Sequence, residues 1–115
     1  MEAYSVRQNK VAKLIQTTLA EIIQKKGFQA FGGAMITVAQ VRVSSDLNYA
    51  KVYISIFATS KTKEEILEIV EKENRTLRYE LGKLVKNQLR VVPELTFFID
   101  DTLDHLDKIN ELLNK

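Results

Sequence analysis

The chain has 115 residues, of which 45% are hydrophobic and 28% are charged, and its net charge is +2. This length allows one buried core and excludes two, so we expect a single domain over residues 1–115. The absence of cysteine excludes a disulfide framework and a thiolate metal site. The N-terminus lacks the apolar run of a secretory signal, and the longest apolar stretches are too short to span a bilayer. We therefore expect a cytoplasmic protein with no membrane partner.

Charge is distributed unevenly along the chain. Residues 1–26 and 72–90 are rich in lysine and arginine, whereas the segment from Glu94 onward is acidic. Such asymmetry favours a polyanionic partner for one face of the protein. Solvated lysines on ordinary helices produce the same pattern, so the charge alone leaves both interpretations open.

The first predicted element is a helix between Ser5, a typical N-cap, and Gly27, a typical stop. Its buried face is predicted by positions spaced three or four apart, namely Val11, Leu14, Ile15, Thr18, Leu19, Ile22 and Ile23. Arg7, Lys10 and Lys13 fall off this stripe. They are predicted to face water or a partner.

Residues 27–35 are predicted to form a connecting loop, and residues 36–43 and 51–57 two strands of a hairpin. In the first strand the apolar alternation changes phase near Ala39 and Gln40, which indicates a β-bulge. The second strand alternates without interruption. Residues 44–49 contain the Ser, Asp and Asn typical of a turn, so a hairpin is the natural connection.

Helical spacing returns over residues 60–88, with Ser60 or Thr62 as the predicted cap. The apolar stripe is interrupted between Val70 and Leu77, which predicts two helices that meet at a bend. Pro93 ends the helical region, and a third strand follows over residues 95–99. A short C-terminal helix is predicted after residues 100–102. This order predicts an α+β fold with helices on one face of a small sheet.

Two stretches resemble the ribosome-binding factor A family of bacterial ribosome-assembly proteins. VRVSSDLNYAKVYIS, residues 41–55, is similar to the family's serine–x–Asp-Leu–x–x–Ala-Lys-Val-Tyr hairpin. LRYELGKLVKNQLRVVPELTFFIDD, residues 77–101, is similar to its helix with Leu-Arg and Leu-Gly and the Val-Pro-Glu-Leu strand that follows. The resemblance extends from about Val6 to Asp101.

The resemblance implies a KH-like fold of type II topology, in the order α-β-β-α-kink-α-β. It also implies a non-enzymatic assembly factor that binds the free small (30S) ribosomal subunit through its 16S rRNA during late maturation. The family assists processing of the rRNA 5′ end and supports growth in the cold. We expect a monomer without cofactor, and the resemblance implies an assembly GTPase as a further partner.

The chain departs from the family at the kink between the two helices. An ordinary KH domain uses a G-x-x-G loop there, and the family replaces it with Ala-x-Gly. The matching positions here are Glu73, Asn74 and Arg75. We expect the bend to depend on Asn74, a residue type that tolerates unusual backbone angles, and Arg75 to add a charge that binds phosphate.

The candidate RNA-binding residues form two basic groups. The leading group is a basic helix near the C-terminal half, and the second lies on the first helix. Together they are Arg75, Arg78, Lys83, Lys86 and Arg90, followed by Arg7, Lys10 and Lys13. Tyr4, Tyr53, Tyr79 and Phe98 are candidates for base stacking, although a core or partly covered position is favoured for Tyr53 and Phe98.

Two other functions stay open at this point. A protein-interaction module would use the sheet face or the acidic C-terminal helix, with the basic residues serving solubility. A metal-dependent hydrolase would use the acidic run from Asp100 to Asp107 with His105, but adjacent helical residues point in different directions. Since no nucleophile–base pair is recognisable, we expect no catalytic residue and no metal site.

Overall fold

The computed structural model of the protein describes residues 4–100. The elements are α1 (Val6–Lys26), a 3₁₀ helix (Phe28–Phe31), β1 (Met35–Val43), β2 (Tyr49–Phe57), α2 (Lys63–Lys72), α3 (Asn74–Val85) and β3 (Glu94–Ile99). This is the predicted order, with a 3₁₀ helix inside the segment predicted as a loop. The predicted C-terminal helix lies outside the described residues.

The three strands form one sheet in the order β1-β2-β3. β1 and β2 pair as the predicted antiparallel hairpin, and the register shifts between Val38 and Gln40, which confirms the bulge. β3 pairs in parallel with β2. Since parallel neighbours require a long crossover, α2 and α3 supply the connection between them.

The core lies between the sheet and the helices. Alternate strand residues point toward α1, α2 and α3, and the buried strand residues are Val38, Val41, Val43, Ala50, Val52, Ile54, Ile56, Leu95 and Phe97. From the helices, Ile15, Leu19, Ile66, Leu77 and Leu81 are fully buried. Burial of such side chains contributes roughly 1.5–3 kcal/mol each relative to exposure.

The helices α1 and α2 begin with reciprocal capping boxes. Gln8 N donates to Ser5 Oγ (3.1 Å) and Ser5 N donates to Gln8 Oε1 (2.8 Å). Thr62 and Glu65 form the same pair at α2, so Thr62 is the cap. The hydrogen bond from the Thr62 backbone lowers the pKa of the Glu65 carboxyl.

The kink between α2 and α3 contains no left-handed residue. Glu73 separates the two helices with φ −87° and ψ −1°, a right-handed conformation, and Asn74 lies within α3. Among the described residues Leu47 alone combines a side chain with a positive φ. The expectation that Asn74 enables the bend through an unusual backbone conformation is therefore wrong.

Asn74 acts instead through its side chain, which binds the edge strand β3. Asn74 Nδ2 donates to Leu95 O at 2.9 Å and to Glu71 Oε2 at 3.3 Å. The other carboxylate oxygen of Glu71 accepts from Phe97 N at 3.0 Å. An edge strand has unpaired backbone groups that need partners, and the kink supplies two of them.

The helix α3 ends at Val85, three residues before the predicted end. Gln88 N and Leu89 N both donate to Val85 O at 2.8 Å, which closes the turn. Lys86 is therefore the C-cap of α3. Arg90 lies in the segment that leads to β3, so its predicted place on the basic helix is wrong.

Asn74→Ala should lower the free energy of unfolding by about 1 kcal/mol, since a partly buried carbonyl loses its donor. Asn9→Ala is the matched control, because Asn9 is an exposed residue within α1 and gains the same helix propensity. Urea unfolding of both variants gives the difference. Equal midpoints would show that the bond from Asn74 to Leu95 adds nothing to stability.

Gly32→Ala should destabilise the protein more than Gly33→Ala. Both residues have a positive φ, +66° and +84°, so alanine at either adds about 1–2 kcal/mol of backbone strain. A Cβ on Gly32 would also lie 2.9 Å from Ile69 Cδ1 and 3.2 Å from Ile66 Cδ1, whereas Gly33 has open space. We expect a further loss of about 1 kcal/mol at Gly32 from overpacking. A thermal midpoint for Gly33→Ala at or below that of Gly32→Ala would contradict this account.

Candidate nucleic-acid interface

A concave groove of about 890 Å³ runs along the exposed side of α3 and the kink. Five cationic side chains line it, namely Lys72, Arg75, Arg78, Lys83 and Lys86. Glu71 is the one carboxylate among its lining residues, and that group is engaged by the backbone of Phe97. The groove therefore presents a positive surface.

Helical periodicity explains why these side chains converge. Arg75, Tyr79 and Lys83 are spaced four residues apart, so they share one face of α3. Lys86, the C-cap, follows three residues after Lys83 in a helical conformation and continues that face. The opposite face contributes buried leucine and valine side chains to the core. One helix thus presents its apolar face to the sheet and its cationic face to solvent.

The cations of the groove have different partners. The Arg78 guanidinium donates from Nε to Pro93 O at 3.1 Å and from Nη2 to Val92 O at 2.7 Å. It therefore fixes the segment that enters β3. Lys83 Nζ lies 5.4 Å from the centroid of the Tyr79 ring. Arg75 and Lys86 are exposed, and neither forms an ion pair within the described part of the chain.

Gly82 lies in the wall of the groove where Val92 packs against α3. A Cβ on Gly82 would be 3.3 Å from Val92 Cγ2. The segment before β3 therefore lies close to α3 at this position. A larger side chain there would push that segment outward and change the groove.

The basic residues of α1 lie outside the groove. Arg7 and Arg90 share a small cavity of about 170 Å³, together with residues of the hairpin turn. Lys10 and Lys13 are exposed and line neither this cavity nor the groove. At the other end of α1, Lys26 forms an ion pair with Glu80 of α3 at 3.4 Å.

The eight predicted residues thus fall into three places. Arg75, Arg78, Lys83 and Lys86 lie together in the groove, Arg7 and Arg90 meet at a smaller cavity, and Lys10 and Lys13 stand alone on α1. Sequence reasoning did not assign Lys72 to the site. Lys72 lies three residues before Arg75, which is helical spacing. This spacing would have assigned Lys72 to the site if the sequence had shown that the helical face continues through the kink.

The predicted stacking residues also separate. Tyr79 lines the groove. Tyr53 and Phe98 lie on the face of the sheet away from the helices, where each is only partly covered. Tyr4 lines a different cavity beside β1 and β2.

No group of three or more His, Cys, Asp or Glu side chains is placed to hold a metal within residues 4–100. Except for Asp100, the acidic run considered as a metal site lies outside the described residues. Within the same part of the chain, no helix has the length and apolarity needed to cross a membrane.

Comparison with known proteins identifies close relatives over nearly the whole chain. The family model for ribosome-binding factor A matches residues 7–113. Ribosome-binding factor A of Cytophaga hutchinsonii is 38% identical over 111 residues, which cover 96% of this chain and 83% of the relative. That of Flavobacterium johnsoniae is 41% identical over 111 residues, covering 93% and 82%.

Solved structures agree with the sequence matches. The crystal structure of ribosome-binding factor A from Thermus thermophilus superposes with a TM-score of 0.68 at 26% identity, covering 84% of this chain and 97% of that one. A homology model of the Thermus thermophilus factor, fitted into the cryo-EM map of its complex with the 30S subunit, gives a TM-score of 0.61 at 27% identity and covers 76% and 89%. These matches confirm the α+β, KH-like fold. The chain belongs to the ribosome-binding factor A family.

Proposed function

We propose that this protein is a non-catalytic assembly factor that binds the free 30S subunit through its 16S rRNA during late maturation. The groove on α3 is the main contact. The observation that carries this proposal is that five cationic side chains line the groove beside one carboxylate, Glu71, which accepts a hydrogen bond from Phe97 N. The Thermus thermophilus relative fitted into the map of a 30S complex supports the same partner.

Phosphate contacts account for the chemistry of the groove. Neutralising phosphates with lysine and arginine releases condensed counterions, which drives binding and makes it sensitive to salt. The wide minor groove of A-form RNA is recognised by shape and backbone rather than by base sequence. A rigid row of cations on one helix suits that kind of contact.

Acceleration of a maturation step requires differential affinity. A factor that binds two rRNA conformations equally shifts neither, so the groove must fit one conformation better. We propose that this conformation favours processing of the 5′ end of 16S rRNA and that the contribution grows in the cold. From its family, we further propose that the protein is a cytoplasmic monomer and that an assembly GTPase releases it from the subunit.

The triple variant Arg75→Gln/Lys83→Gln/Lys86→Gln should weaken co-sedimentation with immature 30S subunits by about tenfold or more. The logarithmic salt slope should fall by about three units, one for each lost phosphate contact. The matched control Arg7→Gln/Lys10→Gln/Lys13→Gln removes the same charge from α1. Co-sedimentation at several salt concentrations, with mature 30S and 50S subunits beside it, gives the comparison.

The possible outcomes of this experiment distinguish an error in the proposed site from an error in the proposed function. Loss of binding in the α1 variant alone would move the site to Arg7, Lys10 and Lys13. Absence of salt-sensitive binding of the unaltered protein to any subunit would overturn the proposed function and favour a protein-interaction module.

The triple variant keeps Arg78 because we expect the loss of this side chain to destabilise the fold. Arg78→Gln should lower the free energy of unfolding by about 1–2 kcal/mol, since two charge-assisted bonds to Val92 O and Pro93 O are lost. Arg75→Gln, on the same face but without such bonds, should change stability by less than about 0.5 kcal/mol. Equal unfolding midpoints in denaturant for the two variants would contradict the structural role of Arg78.

A further inference from the structure

The face of the sheet away from α1, α2 and α3 carries a row of cationic and aromatic side chains. Tyr53 and Phe98 are cross-strand partners on β2 and β3, and their rings stack with centroids 5.4 Å apart at 26°. The Arg42 guanidinium on β1 lies 5.9 Å from the centroid of the Tyr53 ring. A guanidinium and two rings therefore cross all three strands.

Two like charges stand opposite each other on this face. Arg42 on β1 and Lys51 on β2 are direct cross-strand partners, and like charges in such a pair destabilise a sheet. Within residues 4–100 neither forms an ion pair. The nearest carboxylate on this face by register is Glu94, opposite Tyr49. Neither charge of the pair is therefore neutralised by an ion pair in the described part of the chain.

Beside this pair the surface is concave. A cavity of about 520 Å³ is lined by Arg42, Lys51, Tyr49 and Tyr53, with serines of the hairpin turn and Tyr4. No carboxylate is among its lining residues. Its size falls in the range of pockets that hold small ligands, and its donors and rings suit an anion attached to a flat ring.

We propose that the outer face of the sheet, defined by Arg42, Tyr49, Lys51, Tyr53 and Phe98, is a second binding site that takes the unpaired nucleotides of an RNA strand. This goes beyond the groove on α3 and rests on the proposed function only for the identity of the ligand as RNA. The phosphates lie between Arg42 and Lys51 and relieve their repulsion. The bases stack on the exposed rings.

Several features favour an unpaired strand over a duplex. Bases must be splayed out to stack on aromatic side chains, which a double helix does not allow. Every base has a flat face, so stacking is tolerant of sequence. Phe98 is 38% exposed and Tyr49 58% exposed, which leaves ring surface for bases on both sides of Tyr53. The charge of the cavity favours a polyanion over a peptide of mixed charge.

The test measures the affinity of the full chain for fluorescein-labelled oligo(U) and oligo(A) decamers and for a ten-base-pair RNA duplex, by fluorescence anisotropy over a salt series. Tyr53→Thr/Phe98→Thr removes the rings but keeps strand-forming residues. We expect about tenfold weaker binding of both decamers, with an unchanged salt slope. Tyr53→Phe keeps the stacking surface and should bind as the unaltered protein does.

The variant Arg42→Gln/Lys51→Gln, unlike the variant without the rings, should change the salt dependence of decamer binding. The salt slope for the decamers should fall by about two units, while the thermal midpoint stays equal or rises, because a repulsive pair is removed. A residue needed only for folding would lower the midpoint instead. The groove variant Arg75→Gln/Lys83→Gln/Lys86→Gln should lose the duplex and keep the decamers.

Failure of this inference is distinguishable from failure of the proposed function. If both outer-face variants bind the decamers like the unaltered protein, or if no decamer binds at low salt, the second site is overturned. Co-sedimentation with 30S subunits through the groove would be untouched by either result. If the groove variant loses the decamers and the outer-face variants keep them, unpaired RNA binds at α3 and the second site is overturned.

Discussion

The parallel pairing of β2 with β3 is the constraint on which the rest of this structure depends. A parallel neighbour cannot be reached by a tight turn, so the chain must cross over the sheet between the two strands. The helices α2 and α3 make that crossover. Glu71 accepts a hydrogen bond from β3 and Asn74 donates one to it, which secures the middle of the crossover. Arg78 donates to the segment before β3 and secures the end of the crossover. The groove is the outer surface of this crossover, so its shape is set by how the crossover is held.

This arrangement explains how the kink forms without glycine. The resemblance predicts an Ala-x-Gly kink at this point, whereas here Glu73 ends α2 in an ordinary right-handed conformation. The hydrogen bonds that Glu71 accepts from Phe97 N and that Asn74 donates to Leu95 O hold the bend in place. Arg75 follows directly after Asn74 and lines the groove. The kink thus presents a positive charge to the groove.

Local features could be predicted from the sequence because their causes are local. The spacing of apolar residues and the capping boxes define α1 and α2, the change of phase near Ala39 predicts the bulge, and the interrupted stripe places the kink. The end of α3 was missed because the turn after Val85 depends on where the segment before Pro93 packs. The role of Arg78 was missed for the same reason, since its partners are carbonyls fourteen and fifteen residues away.

The candidate sites show the same limit. The convergence of Arg75, Lys83 and Lys86 follows from helical spacing, so the sequence contains it. Arg7 and Arg90 line the same cavity because α1 packs beside the segment after α3. Arg42 and Lys51 are cross-strand partners because a bulge shifts the register of β1 and β2 by one residue. Without that bulge the two charges would lie on different faces, because a shift of one residue reverses every side chain of a strand.

The bulge therefore affects the proposed second site as well as the sheet. It lets β1 bury Val38 near its start and Val41 and Val43 near its end, and this change of phase brings Arg42 to the outer face beside Lys51 and Tyr53. A protein with cations on α3 and on the outer face can engage two parts of one RNA at once. Once one part is bound, the second contact is intramolecular, and its effective concentration depends on whether the RNA holds the two parts at the spacing of the two faces. A rearrangement of the RNA that breaks this spacing lowers the affinity of both contacts together, so the protein would dissociate as the RNA leaves the conformation that it favours.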